Sequence, residues 1–161
     1  MRYHVYKNQI EVLIDDQLGY IYPENVEGFR LQSLQDPSVY HAFGSIFIDE
    51  DPNSPKIFAE LLSSGKKNLW AYRESVKIEF PPFPRYGIAG SKKTIMRTKF
   101  FFNTEESTVM QEVKTSRKNI LETLADQHDA VRKVIAQKEL SCHKPKDLLT
   151  VFNYYNSISK N

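Results

Sequence analysis

The sequence changes its period near Thr115. Upstream of that point the apolar and aromatic residues fall in short alternating runs; from Thr115-Ser116-Arg117-Lys118-Asn119-Ile120-Leu121 onward they recur every three or four positions. A chain with this switch must join strands to helices in sequence order, which defines the α+β class. The expected fold is an antiparallel β-sheet of about six or seven strands over residues 3–113, with a barrel-like curl allowed, followed by three short C-terminal helices within residues 116–158. At 161 residues the chain fits a single domain, 1–161, with a β-rich part (1–114) and a helical appendage (115–161). That length removes roughly 70% of the unfolded surface from water, so neither disulfide nor metal is needed to hold the fold.

The strand signals are local. Val5, Ile10, Val12 and Ile14 mark a first extended region closed by Asp15-Asp16 and Gly19, and Tyr20-Ile21-Tyr22 follows as a short strand. Pro23 to Val26 reads as one helical turn opened by proline, leading to Gly28-Phe29-Arg30-Leu31. Asp36-Pro37-Ser38 is a turn, and Tyr40 to Ile48 is a strand with Ala42 and Ile46 on one side and Phe43 and Phe47 on the other. Ile57 to Leu62 and Leu69 to Tyr72 flank a hairpin in which Gly65 supplies positive φ. Val76-Lys77-Ile78-Glu79-Phe80 alternates most clearly and is expected in the main sheet, one face buried and one wet. Pro81-Pro82-Phe83-Pro84 cannot donate ladder hydrogen bonds and must be a connector. Ile95 to Asn103 resumes as a strand.

Among the helices, Ile120, Leu121 and Leu124 form one apolar face, and Val131, Val134 and Ile135 a second. Asp126 is the expected N-cap of the second helix, with Asp129 in its first turn. Pro145 opens the last helix, whose face is Leu148, Leu149, Phe152, Tyr155 and Ile158. Such short helices persist only when docked.

Chemical signatures are weak. Residues 49–60 place oxygen ligands at four positions of a calcium loop, yet Ser54 stands where glycine is required and Pro52 and Pro55 stiffen the segment, so an acidic surface turn is expected. Cys142-His143 lacks ligand spacing to His4, His41 or His128; Cys142 is expected to pack as a small apolar group between helices. Ser45 has Phe43 and Phe47 where a nucleophile elbow needs glycines. Gly87 to Lys93 lacks the spacer and helix of a phosphate loop. No catalytic motif, cofactor site or metal site is read. The solitary cysteine forbids an intrachain disulfide, and no apolar run or signal-peptide pattern is present.

Charge is uneven. Residues 1–90 carry 9 basic and 12 acidic side chains, residues 91–161 carry 13 and 8. The stretch Ser91 to Phe102, which interleaves cations and aromatics, puts Lys93, Arg97, Lys99 and Phe101 on one strand face and Phe100 and Phe102 on the other. One outward aromatic and a net charge of +2 make a poor base-stacking platform, so nucleic acid is an unlikely partner. Lys93, Arg97, Lys99 and Phe101 are instead the expected partner surface, and a sheet edge near the proline-rich connector could accept an added strand.

Leu121, Leu124-Ala125-Asp126, Val131, Val134-Ile135, Leu140, Lys144, Asp147-Leu148 and Tyr155-Asn156 are similar to the closing helices of an uncharacterised domain of Bacteroidetes envelope proteins, often found N-terminal to an outer-membrane β-barrel. Tyr22 to Phe29, Tyr40 with Ser45, and Phe58 to Tyr72 extend the resemblance over most of the chain. The family transfers no activity and no functional residue. Its relatives usually begin with an export signal, whereas this sequence begins at Met1 inside the domain and no barrel follows Asn161, so the expectation is either a truncated or stand-alone version or a chain to which the envelope location does not apply. Together these readings point to a non-catalytic interaction or accessory domain with an unknown protein partner, its periplasmic or envelope location implied by the resemblance alone. The alternatives are a small-ligand binder or enzyme with a site of scattered residues and, more weakly, a nucleic-acid-binding module.

Overall fold

The structure, a computed structural model, describes residues 2–5, 7–48, 51, 54–86, 89–104, 107 and 109–159. The calcium-loop positions Asp49, Glu50, Pro52 and Asn53, and Gly87 and Ile88 of the glycine-pair segment, lie outside them.

The α+β expectation holds. A three-stranded antiparallel sheet, β1 (Arg2–His4), β2 (Gln9–Ile14) and β3 (Gln17–Ile21), precedes a six-stranded one: β4 (Gly28–Gln32), β5 (Tyr40–Ile46), β6 (Ile57–Ser63), β7 (Lys67–Phe80), β8 (Ser91–Thr104) and β9 (Gln111–Glu112), in sequential order. Helices α1 (Arg117–Thr123), α2 (His128–Gln137) and α3 (Pro145–Ile158) close the chain. The main sheet stays open, with β4 and β9 at its edges, so the allowed barrel-like curl does not occur.

One face of the main sheet carries both covers. Over β6 to β9 the helices bury Leu69, Ala71, Phe100 and Phe102 against Ile120, Leu124, Val131, Leu148 and Phe152. Cys142 joins this core, as its expected packing requires, and burial pushes its thiol pKa up. Over β4 to β6 the small sheet lays Tyr3 against Phe29 and Phe43, which stack with centroids 4.7 Å apart, and Phe58 meets Phe29 edge-on at 4.9 Å. The opposite face is thinner: Ile46, Ile57, Ala59, Phe101 and Met110 cluster beside Trp70. Gly44 is required there, because a Cβ would come within 2.8 Å of the Trp70 ring.

Two asparagines lock the covers down. The Asn8 side chain accepts the Phe58 N–H at 2.7 Å and donates to the Phe58 carbonyl at 3.1 Å. β7 pairs with β6 only through Leu69–Ala71, so at Phe58 the backbone edge that β7 would occupy is taken by Asn8. Across the sheet, Asn156 of α3 accepts the Lys67 N–H and donates to the Lys67 carbonyl and Ser63 hydroxyl. Gly65 turns this hairpin at φ +151°, and a Cβ there would sit 2.7 Å from the Asn156 amide carbon.

Local caps depart from expectation at one place. Asp126 does not cap α2, whose N-cap is Gln127; its carboxylate instead accepts from Lys66 at 2.8 Å and from the Tyr155 hydroxyl at 3.0 Å. Burial pushes the Asp126 carboxyl up, but these hydrogen bonds outweigh it and hold the pKa below the usual range. Distant partners therefore won over the helix end. Ser116 caps α1, accepting the Asn119 N–H, and Pro145 opens α3 as its fixed φ favours.

Candidate functional site

Within the main sheet, β7 and β8 run well past their outer neighbours. Their register is unbroken from Lys67↔Thr104 to Phe80↔Ser91, but β6 reaches only Ala71 and β9 only Phe101. Beyond those points, among the described residues, the two strands pair only with each other and form an arm about 30 Å long. The segment Val76 to Phe80 is part of a main-sheet strand as expected and alternates, with Val76 and Ile78 half-buried and Lys77 and Glu79 exposed, but in the arm its apolar face is only partly covered and Phe80 is 50% exposed. The proline-rich connector is the arm's tip, where Phe83 is 55% and Tyr86 76% exposed.

Lys93, Arg97, Lys99 and Phe101 do share one strand face, as alternation required, but they divide between arm and sheet. Lys93 and Arg97 are exposed on the arm, and Lys99 is half-buried near its base, 3.1 Å from Glu74. Phe101 is only 4% exposed, which removes it from the expected partner surface. Its position lies where β5, β6 and Met110 still cover the face, and parity alone does not reveal where a neighbouring strand stops. What joins Lys93 and Arg97 on the face is apolar: Val76 opposite Ile95, Ile78 opposite Lys93, then Phe80. Lys92 pairs with Glu79 at 2.6 Å. Lys77, Arg85, Lys93 and Arg97 make no ion pair among the described residues.

Phe83 and Tyr86 were not singled out from sequence, although their place in a proline-rich break between two long alternating runs is the signal of an exposed hairpin tip. The arm can present a narrow ribbon of apolar side chains edged by cations.

A concavity lies between the small sheet and β4 to β7, an open cleft of about 490 Å³ walled by Tyr3, Leu31, Phe43, His41, Glu60 and Arg73. Glu60 is buried there and holds His41 Nδ1 and Arg73 Nη1, each at 2.6 Å. Burial pushes the Tyr3 hydroxyl pKa up to about 12. Inside the wall the Glu60 carboxylate thus already has two partners. Ser45 sits within β5 and donates to the Pro23 carbonyl, a structural contact. His143 Nδ1 lies 3.3 Å from the Thr115 hydroxyl, away from any histidine or carboxylate pair. Among the described residues no three His, Cys, Asp or Glu side chains gather to hold a metal, and no helix is long and apolar enough to cross a membrane. Compared with known proteins, the chain matches no family model, no curated protein and no solved structure, and the resemblance to the envelope domain stands on its quoted residues alone.

Proposed function

We propose that this protein is a non-catalytic interaction module and that the β7–β8 arm is its working surface. One observation carries this reading: a two-stranded ribbon projects from the sheet and leaves Phe80, Phe83 and Tyr86 exposed beside unpaired cations. An isolated hairpin is marginally stable in water, and clustered exposed aromatics are a liability unless a partner covers them. From Val76 to Ile95 the arm contributes none of its described residues to either buried core, so the value of this part to the chain lies outside the monomer. The resemblance to the envelope domain directs the search for partners to the cell envelope, which fractionation of native cells tests.

The experiment is a cut-back chain in which Val76 is joined to Ile95 by an Asn-Gly turn, two residues that already face each other and so suit a tight hairpin. It is expected to keep its thermal midpoint within a few degrees, about 1 kcal/mol, and to run in native-cell extracts at its own mass while the full chain runs larger. Equal apparent masses for the two chains would end the arm reading.

A second reading has one observation behind it, the cleft at Tyr3, His41, Glu60 and Arg73, which fits a small ligand. It ranks behind the arm because its charged groups are mutually satisfied.

A further inference from the structure

The arm has a counterpart on the same chain. Residues 80–104 contain five basic and no acidic side chains; residues 8–29 contain five acidic and no basic ones. The acidic segment holds the β2–β3 hairpin, a second protruding ribbon. Leu13 and Leu18, a cross-strand pair, are 65% and 55% exposed, and Tyr20 lies on the same face. Its two-residue turn is Asp15-Asp16, both at positive φ as a type I′ turn demands. Asp15, Asp16, Glu24 and Glu27 make no ion pair among the described residues, four unpaired acids against the arm's four unpaired cations. Both ribbons keep their apolar side chains exposed, so the two do not cover each other within one chain.

We propose that two copies of this chain associate reciprocally, the arm of each docking on the β2–β3 hairpin of the other. This deepens the arm reading and rests on it, naming a second copy as the partner. The pairing matches charge with opposite charge and exposed aromatics with exposed Leu13, Leu18 and Tyr20. A reciprocal exchange makes the arm–hairpin contact twice and closes the assembly with two-fold symmetry, whereas a one-way contact would leave an arm and a hairpin free and grow open chains. The long-range attraction between exposed charges makes the association salt-sensitive.

Sedimentation equilibrium of the full chain tests the pairing. The expected result is a mass twice the 18.8 kDa of the monomer at low salt, falling toward the monomer as salt is raised. An arm variant carrying Lys93→Glu and Arg97→Glu, and a hairpin variant carrying Asp15→Asn, Asp16→Gly and Gln17→Lys, are each expected to self-associate on the order of a hundredfold more weakly. The hairpin changes supply an Asn-Gly turn and so keep the backbone. An equimolar mixture of the two variants is expected to recover the dimer mass, since each altered surface then meets an oppositely charged one; this recovery also shows that both variants are folded. A monomer at every concentration, or a dimer indifferent to both charge changes, overturns the proposal. So does a monomer that sediments with anionic vesicles or binds RNA, which would give the arm a different polyanion. A monomer whose arm still crosslinks in cells ends the self-association alone; a monomer without such crosslinks ends the arm reading too.

Discussion

Asn8→Ala is expected to cost about 2–4 kcal/mol of folding stability, more than most surface substitutions. The side chain is a surrogate β-strand: it satisfies both backbone groups of Phe58, a fully buried residue, and its amide also donates to the Tyr3 hydroxyl at 2.9 Å. Alanine would leave the N–H of the fully buried Phe58 without its partner and its carbonyl with only the Tyr3 hydroxyl at 3.4 Å, and would stand at φ +49°, a region that asparagine tolerates better than most residues. Urea unfolding measures the loss, and hydrogen exchange at the Phe58 amide locates it. Asn8→Asp keeps an acceptor for the Phe58 N–H but faces its carbonyl with a second acceptor, so it is expected to be destabilising as well. A loss below about 0.5 kcal/mol for alanine would show that the small sheet is held by aromatic packing alone.

Unfolding at alkaline pH is the second large effect. Burial first, then the Asp126 hydrogen bond, pushes the Tyr155 hydroxyl up to about 12, and burial does the same for Tyr3. A pKa raised above the unfolded value near 10 contributes stability that is intact below pH 10 and is lost as pH climbs through 12. Lys67 has the opposite sign: burial lowers its pKa, so its deprotonation relieves a penalty in the alkaline range below the normal lysine value. The thermal midpoint is therefore expected to hold up to about pH 10 and then to fall steeply, as both covers of the sheet lose a neutral tyrosine. Tyr155→Phe is expected to lower the midpoint at neutral pH and to flatten its decline above pH 10. An unchanged decline in that variant would remove Tyr155 from the account.

The helical unit was legible because its apolar residues repeat at helical spacing over three successive segments, and such patterns survive most tertiary contexts. Gly65 was legible because a two-strand pattern interrupted by Ser-Gly-Lys admits few turns. Asp126 misled because an acid before a helix is a local cap signal, whereas Lys66 and Tyr155 arrive from 60 and 29 residues away. Asn8 gave no signal at all: a short polar residue in a turn looks the same whether it faces water or clamps a strand 50 residues on. The division of Lys93, Arg97, Lys99 and Phe101 has the same origin. Alternation assigns a face to each residue, but whether that face is core or solvent depends on where β6 and β9 end, and nothing in β8 itself records this.

Site-specific photo-crosslinking in native cells decides whether the arm is the surface that meets a partner. A photoreactive residue in place of Phe83 at the arm tip, compared with one in place of Leu34 at the cleft rim and one in place of Lys133 on the exposed side of α2, reports which surface meets a partner. Adducts are expected from Phe83 and none from Leu34 or Lys133. Adducts from Leu34 with none from Phe83 would contradict this and move the function from the arm to the cleft.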